Sequence, residues 1–281
     1  MEPHVFAAVL AAAAMHAGWN AVLKLKLEPF LALTLVTGAA GLAGVPGLLA
    51  FGWPILPAWP WLIGSVVLHL GYSLALAEAY RRADMSQIYP IARGGAPLLT
   101  ATAAFLLLTE PIGSLQALGI AALGGGVAAM AVAGRRRSSS FDPVAVGFAL
   151  LTAAIICGYT LVDGLGARAA GDPHAYSGAL FVLDGMPLVL FALWRRGLAG
   201  LEPMRRFLLP GFVGGAMSLG SYWIAIWAMT VAPIALVAAL RESSVLFAAA
   251  IAVVILKEPP TWPRALAAGL ILCGLALIRI G

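Results

Sequence analysis

Apolar residues fall into ten long runs along this chain, and charge, proline or glycine clusters punctuate the gaps between them. The runs cover residues 4–23, 30–51, 60–80, 86–108, 113–133, 143–165, 175–194, 207–230, 234–256 and 262–280. Each comes close to the ~20 residues an α-helix needs to cross a bilayer. The first run, rich in alanine, would pass for a soluble helix by itself, but the other nine argue against that. Trp53, Trp59, Trp61, Trp194 and Trp262 fall near run ends, where interfacial tryptophans belong.

Composition turns this pattern into a fold class. Hydrophobic residues make up 62% of the 281 residues and charged ones 10%, with mean hydropathy +0.97. A soluble domain is about half apolar and a quarter charged, so this chain lacks the polar side chains to cover a water-facing surface. The expected architecture is all-α and polytopic: ten transmembrane helices with the lipid bilayer as solvent. The 32 glycines let helix backbones approach closely where lipid offers little hydrophobic drive for association.

Charge then sets orientation. Counting loops alternately, thirteen of the 17 Lys and Arg fall on one side, among them Lys24, Lys26, Arg81, Arg82, Arg135 to Arg137, Arg195 and Arg196. The other side holds Arg168 and Arg279, while Arg93 and Arg241 lie inside runs. Positive residues stay cytoplasmic, so both termini are expected outside the cytoplasm of an inner membrane. The net charge of +5 and pI near 9.6 are therefore read as topology, with no nucleic acid among the partners. No Lys or Arg precedes the run Val5–Leu23, which is expected to be a retained first helix rather than a cleaved signal. Cys157 and Cys273 sit in apolar runs and read as packing.

The halves resemble each other. Arg93 and Glu110-Pro111 match Arg241 and Glu258-Pro259 at one offset of 148, which also aligns Gly126 with Gly274. Gly18-Trp19-Asn20 matches Gly158-Tyr159-Thr160 at an offset of 140. Five spans per half is an odd number, so the second half enters from the opposite side. The expectation is an inverted repeat: residues 1–134, a basic linker 135–142, and residues 143–281. Two such units exchanging conformations about a central site suit alternating access.

These motifs carry a family resemblance. His16-Ala17-Gly18-Trp19-Asn20, the Thr109-Glu110-Pro111 and Lys257-Glu258-Pro259 junctions, and the glycine-rich fifth and tenth helices resemble the EamA family of the drug/metabolite transporter superfamily, over essentially the whole chain. The resemblance implies a secondary transporter that exports amino acids or related metabolites, of the amino-acid exporter branch. One departure stands out: Ile156-Cys157-Gly158-Tyr159 occupies the place of His16-Ala17-Gly18-Trp19, so His16 has no twin.

Polar side chains in hydrocarbon are costly and mark cavities or partners. His69, Tyr72, Tyr222 and Trp223 fall near mid-depth, and Trp19 and Asn20 occupy positions paired with Tyr159 and Thr160. Trp19, Asn20, His69, Tyr72, Tyr159, Tyr222 and Trp223 are expected to line a substrate pocket with aromatic walls, suited to aromatic or other amphipathic solutes. His16, Arg93, Asp184 and Arg241 are gating or coupling candidates. Asp184 is the expected partner of a buried arginine, whereas Glu78 and Asp163 are placed near helix ends. Glu110-Pro111 and Glu258-Pro259 read as helix starts, with proline in the first turn and an acid at the positive pole. Pro90, Gly94, Gly95 and Pro97 make the fourth helix the expected breaking point and the more mobile gate; the ninth lacks such residues.

Two other classes are alternatives to a carrier. An intramembrane enzyme needs a nucleophile with its base, a dyad or a metal cluster, and the histidines His4, His16, His69 and His174 are scattered with no GxSxG or HExxH. A non-transporting scaffold is the other alternative. A primary pump is disfavoured by the missing GxxxxGK[ST] loop. No enzyme activity and no cofactor is expected, the partner is a small-molecule substrate, and a monomer suffices.

Overall fold

The computed structural model describes residues 1–22, 27–82, 85–108, 110–133, 142–254, 257 and 261–281. Lys24, Lys26, Thr109, Arg135, Arg136, Arg137, Glu258 and Pro259, singled out in the sequence, lie outside the described residues. The described residues form α1 (Pro3–Val22), α2 (Pro29–Phe51), α3 (Trp59–Arg82), α4 (Met85–Leu108), α5 (Ser114–Ala133), α6 (Pro143–Ala169), α7 (Pro173–Arg196), α8 (Leu208–Val231), α9 (Ile234–Arg241), α10 (Ser244–Val254) and α11 (Trp262–Ile280). Their limits follow the apolar runs to within a few residues. Eight helical stretches are long and apolar enough to cross a membrane, α9 and α10 counting as one; Ser114–Met130 is a shorter apolar helix. Large apolar side chains such as Leu42, Leu49, Leu106 and Leu209 lie exposed on the outside, as a lipid-facing surface requires.

Helix ends follow local chemistry. Asp142 and Asp172 each accept a hydrogen bond from a first-turn N–H, of Val144 and His174, with proline at the next position. Gly52 and Gly197 close α2 and α7 at positive φ, donating to Leu48 and Leu193 carbonyls. Short connections then bring helix ends together on two faces. One holds Met1 and the α2–α3, α4–α5, α6–α7 and α8–α9 junctions, and is called the Met1 face below. The other holds Glu28, Arg82 and Arg196.

The breaking point differs from the sequence expectation. α4 runs unbroken through Pro90, Gly95 and Pro97, and the interruption lies at Glu242–Ser243, between α9 and α10. There the chain tightens to i to i−3 bonds: Glu242 donates to Ala239, Ser243 to Leu240 and Val245 to Glu242. The break holds no glycine or proline and coincides with a buried ion pair. Glu242 meets Arg93 of α4 at 3.0 Å, and both side chains are only 4% exposed. Arg93 therefore pairs with Glu242, not with Asp184.

Helices of the first half interleave with those of the second. α5 packs on α11, α2 on α7, α4 on α9, α3 on α6 and α1 on α8. The closest approaches use glycine: a methyl on Gly41 would meet the Gly185 Cα at 2.9 Å, so α2 and α7 cross backbone to backbone.

Candidate functional site

A cavity of about 70 Å³ lies between the halves. α1 contributes His16 and Trp19, α3 His69 and Tyr72, α6 Tyr159, α7 Asp184, α8 Ser218 and Tyr222, and α9 Arg241. Five of the seven expected substrate contacts meet there, together with His16, Asp184 and Arg241. Arg93 sits behind this wall, buried against Glu242. Two expected residues lie elsewhere. Asn20 turns back and donates its Nδ2–H to the His16 carbonyl at 2.8 Å, one turn earlier in its own helix. Trp223 donates Nε1–H to His174 Nδ1 at 2.8 Å and packs on Phe51, towards the Met1 face.

The aromatic wall is a packed cluster. His69 stacks on Tyr159 with centroids 4.2 Å apart, and Tyr159 meets Tyr222 and Tyr72 edge-on at 5.8 Å. His69 Nδ1 lies 3.0 Å from the Ser65 carbonyl and 3.1 Å from the Ser65 hydroxyl, one turn earlier in α3. Trp19 donates to His16 Nδ1 at 3.1 Å, so the neutral His16 ring carries its proton on Nε2. The Arg241 guanidinium lies 4.7 Å over the Tyr222 ring, a cation–π contact.

Asp163 corrects the sequence reading. It is fully buried rather than near water, and its carboxylate accepts hydrogen bonds from Tyr176 at 2.9 Å and Tyr222 at 2.5 Å. It thereby ties α6 to α7 and α8. The signal was present: Asp163 follows Tyr159 by four residues and shares its helix face. Glu78, by contrast, does sit at a helix end, where it holds Arg81 and Arg82.

Glu110 is not a first-turn acid of its own helix, because α5 begins at Ser114. Its carboxylate takes Arg168 at 2.8 Å and the Ala235 N–H, in the first turn of α9, at 3.4 Å. Arg168 also donates to the Met229 and Ala232 carbonyls at 2.9 and 3.2 Å. One arginine of the second half and one glutamate of the first thus fasten four helix ends at the Met1 face. On the opposite face a space of about 510 Å³ opens between Glu28, Glu78, Arg81 and Arg196. Among the described residues, no group of three His, Cys, Asp or Glu is placed to hold a metal ion.

No curated protein matches the chain in sequence. Solved structures share its fold: one protein crystal structure aligns over 100% of this chain and 99% of its own, with TM-score 0.79 at 18% identity. That likeness shows the fold alone. Residues 143–280 match the model of the EamA-like transporter family, and within them Tyr159, Asp184, Tyr222 and Arg241 line the cavity. The chain is a member of the EamA-like transporter family, within the drug/metabolite transporter superfamily.

Proposed function

We propose that the protein is a secondary transporter that exports small metabolites such as amino acids across an inner membrane, working by alternating access through the central cavity. In this reading ten helices cross the membrane as two inverted five-helix repeats, residues 1–134 and 143–281, with both termini outside the cytoplasm. The observation that carries it is the asymmetry of the two faces. Arg168 and Glu110 fasten the Met1 face, while the Arg196 face opens into a larger space. Phe30 and Leu74 of that space lie within one turn of Leu33 and Ser73 in the cavity lining. This is the arrangement of a carrier caught open to one side.

The substrate contacts are Trp19, His69, Tyr72, Tyr159 and Tyr222. Their rings offer non-directional apolar contact, and their polar atoms offer neutral hydrogen bonds that release as readily as they bind. A cavity of about 70 Å³ favours compact solutes over aromatic ones in this conformation. Trp223, with His174 and Phe51, belongs to the closed Met1 face, and Asn20 acts on its own helix. His69 and Asp184, both at the cavity, are the groups available for proton coupling.

The test is flux of radiolabelled amino acids into proteoliposomes holding purified protein. Tyr72→Ala is expected to raise the half-saturation concentration several-fold at normal protein yield. Unchanged flux kinetics in Tyr72→Ala and in Tyr159→Ala would place the pathway elsewhere.

A further inference from the structure

The cavity wall formed by α1 and α9 carries charge that the protein does not neutralise. Arg241 lies in it and Arg93 of α4 and Glu242 lie behind it, two cations and one anion, and the carboxylate gives its 3.0 Å ion pair to Arg93. Among the described residues no acid lies within ion-pair distance of Arg241, and its Nε has no hydrogen-bond partner. The side chain is 5% exposed, and what exposure it has is to the cavity. The Tyr222 ring supports one face of the guanidinium, which leaves its N–H edge for something else. His16 repeats the pattern. It too is 5% exposed and lines the cavity, its Nδ1 is taken by Trp19, and Nε2 has no partner. The two groups line the same cavity.

A buried unpaired guanidinium is costly, and so is a buried N–H with no acceptor. Both costs fall on one cavity, and both vanish when an acceptor carrying a negative charge enters. From this we infer that Arg241 and His16 form a carboxylate-binding subsite of the transport cavity. Arg241 presents planar donors that match the two oxygens of a carboxylate, and His16 Nε2–H adds a donor from the opposite helix. Asp184 of α7 lines the same cavity. A solute held by its carboxylate at Arg241 would have this acid available for any amine, and solutes without a carboxylate would leave Arg241 unpaired and be rejected. The inference rests on the proposed central cavity, and assigns to Arg241 and His16 a substrate contact rather than a gating role.

The experiment is the melting temperature of the purified full-length protein in detergent, in sodium acetate, in sodium chloride at equal ionic strength, and in acetamide. Acetate at a few times its dissociation constant is expected to raise the melting temperature by about 2 °C over the other two. Arg241→Gln removes the difference. His16→Gln, which keeps the arginine, reduces it, and serves as the decisive variant if Arg241→Gln does not fold. Equal shifts in acetate and chloride would show a general anion effect and overturn the assignment, as would an acetate shift that survives Arg241→Gln. Amino-acid flux by wild-type protein with no acetate effect would remove the subsite and leave the carrier. An acetate effect without flux would do the reverse.

Discussion

Gly126 of α5 and Gly274 of α11 make the same contact in reverse. A methyl on Gly126 would meet the Ile271 nitrogen at 2.9 Å and the Ala267 oxygen at 3.0 Å; one on Gly274 would meet the Leu123 nitrogen and the Gly119 oxygen, each at 2.7 Å. Every residue in the first set maps onto the second by 148 positions. The register read from Arg93, Glu110 and their counterparts thus recurs in the packing, as expected if a two-fold axis relates the repeats.

Gly126→Ala and Gly274→Ala should therefore destabilise the protein alike, each by about 1–3 kcal/mol, because the obstructing atoms are backbone. Gly269→Ala, with nothing within 4 Å of its new methyl, should be neutral or stabilising. Thermal unfolding in detergent checks the set. Equal effects at all three sites would mean that the crossing is looser than described.

The Arg168–Glu110 contact should act as a latch. Glu110→Gln removes a charge-assisted bond of about 1.5–3 kcal/mol and should favour opening of the Met1 face. With Cys157 and Cys273 replaced by alanine and Ala232 by cysteine, an impermeant thiol reagent should label the variant about tenfold faster than the parent. Identical labelling rates would show that the contact is structural only.

Tyr222→Phe keeps the ring under Arg241 but deletes the hydroxyl bonded to Asp163. It should lower stability by about 1–3 kcal/mol, since a buried carboxylate loses a donor, and Tyr176→Phe should do the same. The double variant should cost more than the sum, because Asp163 then loses both. Additive losses in the melting curves would show that the tyrosines act independently.

Arg241→Leu should impair flux far more than Arg279→Leu. Arg241 is buried at the cavity, whereas Arg279 is exposed, donating to the Met1 carbonyl at 3.5 Å and lying 6.0 Å over the Phe6 ring. Equal flux from the two variants at matched protein yield would count against Arg241 as a substrate or coupling group.

The helices were legible in the sequence because lipid exposure forces every crossing segment to be long and apolar, and the run 262–280 coincides with α11. The aromatic cavity was legible because Tyr72, Tyr159 and Tyr222 have few other reasons to sit in mid-run. What failed was pairing across distance. Glu242 looked idle beside Arg241, yet its partner Arg93 is 149 positions away, and the helix break lies at this glutamate, between α9 and α10, rather than in α4. Glu110 looked like a local helix start, yet it caps α9 and holds Arg168. Depth misled as well: Asp163, near the end of its apolar run, is buried because α6 continues to Ala169. Trp223 and Asn20 sit beside cavity residues in sequence but point elsewhere, since neighbours on a helix face different directions.

The central claim is that solute passes through the cavity between the halves, and blocking that cavity tests it most directly. Ser218 lines it, and Ser218→Trp adds more bulk than about 70 Å³ of space accepts. Counterflow of radiolabelled amino acids should be measured in proteoliposomes with wild-type protein and with Ser218→Trp of matched yield and elution volume. The account predicts solute-dependent flux in the first and none above empty vesicles in the second. Undiminished flux through Ser218→Trp would contradict it.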